Sequence, residues 1–178
     1  PERKLAHTTG DGNSFLFESW YVAREDIDID NSMATLSVNP QFSGSQWSLT
    51  RATNYRLGPA IDRWVDPVAP PANALNTPLD TPEGHAKVAV KVTSLGGGKW
   101  RYDYAVMNLD FARAVTTGSE PNLHVVSNKG FDQVHVSLPA GVQVFSSTAS
   151  VGDANPNMDW RAKQVGSDLG WSTDPGVP

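Results

Sequence analysis

The stretch VAVKVTSLGGGKWRYDYAVM, residues 88–107, decides the fold class. Val88, Val90 and Val92 alternate with Ala89, Lys91 and Thr93. After Gly96, Gly97 and Gly98, Trp100, Tyr102, Tyr104 and Val106 alternate with Arg101, Asp103, Ala105 and Met107. A period of two belongs to a β-strand, and a glycine turn between two such runs predicts an antiparallel hairpin. One face carries an aromatic ladder and the other an Arg101/Asp103 neighbour pair.

Outward from this hairpin the same period recurs in short runs. Leu123 to Val126, Gln133 to Leu138 and Val142 to Ser147 read as strands, the last two joined through Pro139, Ala140 and Gly141. Residues 159–165 and 169–172 form a closing hairpin across Gly166, Ser167 and Asp168. Toward the N-terminus, the segment around Phe15, Phe17 and Tyr21 is apolar on both parities, since Leu16, Trp20 and Val22 fill the other. Ala34, Leu36 and Val38 make a half-buried strand that Asn39-Pro40 is expected to stop, and residues 46–53 make another. Residues 59–65 are the best helix, with Pro59 suited to a first turn and Ala60 one turn from Trp64. Between Val65 and Pro82 prolines recur at 67, 70, 71, 78 and 82, which predicts a long ordered loop. Short strands with turns at 8–12-residue spacing indicate an all-β antiparallel sandwich. We divide it into a β-rich region with one short helix over residues 11–83 and an immunoglobulin-like sandwich over 84–178, packed as one unit.

Composition narrows the function classes. The chain has 178 residues, 15 Gly, 13 Pro and no Cys. Without cysteine there is no disulfide scaffold, thiolate metal site, iron–sulfur cluster, cysteine nucleophile or covalent c-type haem. A net charge of −5 argues against a nucleic-acid binder, which needs a basic face. No run approaches the ~18 apolar residues of a membrane span. The first residue is Pro1 rather than Met, so a processed or trimmed start is expected.

Few residues carry chemistry. Asp153, Asn155, Asn157 and Asp159 place side-chain oxygens at alternate positions, as a calcium loop does, and calcium is the one cofactor this pattern suggests. Met158 stands where such a loop has its turn glycine and Gln164 where the bidentate Glu would be, so an Asx/Pro turn reads these residues equally well. Asp26, Asp28 and Asp30 alternate with Ile27 and Ile29, which favours a solvated strand face. The histidines at 7, 85, 124 and 135 form no close ligand pair; a hydrolase would need His124 and His135 to meet a carboxylate such as Asp132. No nucleophile elbow, P-loop or dinucleotide fingerprint is present, and no catalytic or other cofactor-binding residue is expected. The tryptophans at 20, 47, 64, 100, 160 and 171 mostly lie in apolar periodic stretches, which predicts core packing. Exposed instead, they would stack on sugars or anchor an interface. Arg101, Arg113 and Arg161 stand near aromatics as cation–π props.

The segments GKWRYDYAVMNLDFARAV (98–115) and GDANPNMDW (152–160) resemble a group of exported bacterial β-sandwich proteins of unassigned function, some of them anchored at the cell envelope. FESWY (17–21) and GPAIDRWVDP (58–67) resemble the same group. The resemblance implies an extracytoplasmic location, in the periplasm, at the cell surface or secreted. It also implies a further strand after residues 169–172, hence an incomplete C-terminal sheet, and it transfers no catalytic residue. The expected function is therefore a non-enzymatic structural or interaction protein of the envelope or of an extracellular assembly, with a protein partner or self-assembly. Two other readings stand beside it: a carbohydrate-binding module supported by calcium, and an accessory subunit of a larger complex.

Overall fold

The computed structural model describes residues 14–21, 29–110, 113–149 and 160–172. Among these the protein is all-β and sandwich-like, with several antiparallel sheets, none closed into a barrel, and one short helix. The chain divides into two compact units between Phe111 and Ala112. Residues 83 and 84 lie at the turn of a β-hairpin, and the decisive 88–107 stretch belongs to the first unit.

In the first unit, β1 (Phe15–Trp20), β2 (Met33–Ser43) and β3 (Gln46–Arg51) form an antiparallel sheet, and β4 (Arg56–Leu57) also pairs with β2. A 3-10 turn at Ile29–Ser32 leads into β2. Strand β2 does not stop at Asn39-Pro40 but runs on to Ser43. Pairing with β1 ends at Val38, so beyond that residue β3 alone among the described strands lies beside β2, and Pro40 can lack its N–H without breaking a second ladder.

The second sheet of this unit has the order β5 (Ala74–Thr81), β6 (Gly84–Gly96), β7 (Lys99–Asn108). Val88, Val90, Val92 and Ser94 oppose Val106, Tyr104, Tyr102 and Trp100, as the alternation requires. Gly97 turns the chain at φ 59°, a left-handed conformation that costs a residue with a Cβ about 1–2 kcal/mol. Strand β5 corrects the expected long loop: half of the proline-rich segment is a strand. Among the described residues its only neighbour is β6, and an edge strand tolerates Pro78 because one side of its backbone needs no partner.

The helix α1 (Ile61–Trp64) fills most of the predicted segment. Its entry has no side-chain cap of its own; the Ala60 N–H donates to the Glu18 carboxylate of β1. Arg63 donates to the hydroxyl and carbonyl of buried Thr35 on β2, at 3.1 and 3.0 Å. Ile61 and Val65 pack on Ala89, which is 0% exposed, with Trp64, Ala74, Ala105 and Met107 around them. The helix thus ties polar groups of the first sheet to an apolar seat on the second.

That seat corrects the expectation for the tryptophans. Neighbouring rows on the helix side of β5–β6–β7 hold Ala74, Ala89 and Ala105, whose small side chains let the helix approach. The bulky ladder is left on the opposite face, and none of the six tryptophans is buried.

In the second unit, β8 (Arg113–Thr117) pairs with β9 (His124–Lys129). A three-stranded sheet has the order β10 (Gln133–Ser137), β12 (Asp168–Ser172), β11 (Arg161–Val165). The closing hairpin is present across Gly166 and Ser167. Residues 142–147 are not a strand; β10 pairs with β12 instead of turning back through Pro139.

Two substitutions separate the faces of β5–β6–β7. Ala89→Leu is expected to overpack the helix seat and lower stability by about 1–3 kcal/mol in urea titration. Leu75→Thr, on the opposite face, is expected to stay within about 0.5 kcal/mol of the parent. Equal losses at both positions would contradict the assignment of the buried face.

Candidate functional site

The exposed face of β5–β6–β7 carries an organised row of aromatic and aliphatic side chains. Strand alternation brings Leu75 of β5, Val88, Val90 and Val92 of β6, and Trp100, Tyr102, Tyr104 and Val106 of β7 to one side. Trp100, Tyr102 and Tyr104 are 58%, 55% and 39% exposed. The Tyr102 and Tyr104 rings lie 6.4 Å apart with their planes within 14°. Partial burial pushes the Tyr104 phenol above its ordinary 10.0, and the neighbouring Tyr102 adds to the shift, so the Tyr104 phenol is uncharged at neutral pH. A pair of near-parallel phenol rings beside the valines of β6 presents stacking surface and phenol hydroxyls together.

The opposite face holds the charged partners. Arg101 Nε donates to Asp103 at 2.9 Å, the ion pair read from the sequence. Lys91 lies 4.8 Å above the centre of the Trp64 ring, a cation–π contact that the sequence pattern did not single out.

Beneath the helix lies a buried polar cluster. Asp62 of α1, Asn76 of β5 and Lys87 of β6 are all buried. Asn76 Nδ2 donates to Asp62 Oδ1 at 2.8 Å and to the Val65 carbonyl at 2.7 Å. Lys87 Nζ donates to Asp62 Oδ2 at 3.0 Å. The Asn76 Oδ1 has no hydrogen-bond partner among the described residues. Gly58, at φ 99°, leaves room for the carboxylate, since a Cβ there would stand 3.0 Å from Asp62 Oδ2. Sequence reasoning missed this cluster because its members are 14 and 25 residues apart. One signal was available: Asp62 lies within the apolar pair Ile61/Val65 on a one-turn helix.

The residues predicted to carry chemistry are not brought together. Asp153, Asn155, Asn157 and Asp159 lie outside the described residues, as do Asp26 and Asp28. Among the described residues no group of three His, Cys, Asp or Glu side chains is placed to hold a metal. His135 contacts Gln133 at 3.1 Å, and its ring lies where a Cβ on Gly170 would fall. No described contact links it to His124 or Asp132. His85 does have a carboxylate: its Nδ1 is 2.9 Å from both oxygens of Asp110, at the end of β7. Among the described residues no helix is long and apolar enough to cross a membrane. No family model matches the chain, and no curated protein or solved structure matches it either.

Asp110 supplies a pH test. Burial pushes its carboxyl up, but the hydrogen bonds from the side chain and backbone of His85 outweigh this and hold it below 3.8. A depressed carboxylate stabilises the fold above its unfolded pKa, and the contribution fades as pH falls through the lower folded value. Asp110→Asn is therefore expected to lower stability at pH 6 within the ~0–1 kcal/mol range of exposed pairs, and by less at pH 2, below the ordinary carboxyl value. Thermal melts at the two pH values measure this, and an undiminished difference at pH 2 would refute it.

Proposed function

We propose that the chain is a non-enzymatic interaction module of an exported bacterial protein, serving in the envelope or in an extracellular assembly. The observation that carries this reading is the uncovered apolar face of β5–β6–β7, with Trp100, Tyr102 and Leu75 more than half exposed. Contiguous exposed apolar surface marks sites of association, and Trp and Tyr are the residues that most often anchor them. The resemblance of the 98–115 and 152–160 segments to exported sandwich proteins supports the location. Sedimentation velocity over a wide concentration range tests the self-association arm. The parent is expected to associate, and Tyr102→Asp to weaken association at least about 10-fold, because it places a charge on a desolvating surface. A parent that stays monomeric throughout would remove self-assembly.

One observation favours a second reading, a carbohydrate-binding module. The near-parallel and exposed Tyr102 and Tyr104 rings offer aromatic faces of the kind that stack on sugar rings. Retention on insoluble polysaccharide, reduced about 10-fold by Tyr102→Ala on the strength of one stacking contact, is the result this reading requires. Equal retention of parent and variant would dismiss it.

A further inference from the structure

We infer that Lys87 and Asn76 are the reactants of an intramolecular amide bond, with Asp62 as the proton carrier between them. The two strands put their side chains within reach. Asn76 is opposite Ala89 and Pro78 opposite Lys87, so Asn76 and Lys87 are diagonal neighbours on one face of the β5–β6 ladder. Diagonal positions are about 7–8 Å apart, a span that a lysine side chain bridges.

The arrangement supplies each part of the step. Lys87 is the nucleophile, the Asn76 carboxamide the electrophile, and its Nδ2 the leaving group. One carboxylate holds both ends of the proton path: Asp62 Oδ2 accepts from Lys87 Nζ at 3.0 Å, and Oδ1 accepts from Asn76 Nδ2 at 2.8 Å. The Nζ–Cγ bond forms and the Cγ–Nδ2 bond breaks. Of the three protons on the charged amine, one remains in the new amide and two pass through Asp62 to Nδ2, which departs as ammonium. Nothing is oxidised or reduced, and no co-reactant is needed.

Burial favours the reaction over the unreacted trio. The side chains of Lys87 and Asp62 are only 8% and 11% exposed, and Ile61, Val65 and Ala89 form the apolar cluster beside them. Holding an ion pair there costs several kcal/mol of desolvation per ion before its attraction is counted. The amide product discharges the lysine for good. The unpartnered Asn76 Oδ1 is the second observation: a buried oxygen without a partner calls for an explanation, and in this site it belongs to the carbonyl under attack. The product joins β5 to β6 covalently in a chain without cysteine.

Intact-mass spectrometry of the folded full chain tests the inference. The parent is expected about 17 Da below its sequence mass, the loss of one ammonia. Lys87→Arg and Asp62→Asn are expected at full mass. Peptide mapping decides the site whether or not those variants fold. The expected product is one branched peptide containing Asn76 and Lys87, with no tryptic cleavage after Lys87. A parent at full sequence mass after prolonged incubation would overturn the proposal. So would a 17 Da loss that maps to a linear peptide, which would mean succinimide formation at an asparagine.

Discussion

Ile61 and Val65 close over Ala89 at the centre of β6, and the first unit is organised around that contact. Each buried aliphatic side chain contributes about 1.5–3 kcal/mol, which for a one-turn helix exceeds anything its own hydrogen bonds supply. The turn is too short to persist alone. It is held at its entry by Glu18, across the first sheet by Arg63 on Thr35, and beneath by the alanine seat. Because the helix takes the small-residue side of β5–β6–β7, the aromatic side must face elsewhere. The exposed platform and the buried Asp62–Asn76–Lys87 cluster are thus two results of one packing choice.

That choice explains what could be read from the sequence and what could not. The hairpin of β6 and β7 was legible as two alternating runs about a glycine turn, although the register irregularity between Ser94 and Gly96 was not. The closing hairpin of β11 and β12 was legible for the same reason. Strand β5 was hidden because prolines on both sides of Asn76 mimic a loop, and only its edge position makes Pro78 harmless. Which face of the β6–β7 hairpin would be buried was not legible. Alternation shows that two faces differ; it does not say which will receive a helix from residues 61–64. Hydrophobicity favoured the Trp/Tyr side, while shape favoured the Ala side, and shape won.

The candidate site was legible in part. Trp100, Tyr102 and Tyr104 stood out as a ladder, and their alternative role as a stacking surface followed from residue type. Asp62, Asn76 and Lys87 gave no comparable signal, because a lysine in an alternating strand reads as solvent-facing until something covers that face. The chemistry of the cluster is created by the helix lying over it. Sequence spacing therefore could not reveal it, whereas the four oxygens of residues 153–159 form a pattern visible without any fold.

The meander β5–β6–β7, with α1 immediately before it, also bears on the order of folding. All of its pairings join neighbours in the chain, and the helix that seals it begins only 13 residues before β5 starts at Ala74. Contacts of short sequence separation form early because little loop entropy opposes them. Residues 58–108 are thereby set to act as the nucleus onto which β1 and β2 later close, through Glu18 and Thr35. In pulsed hydrogen exchange the amides of β6 should gain protection before those of β2. The reverse order would mean that the first sheet, not the meander, initiates folding.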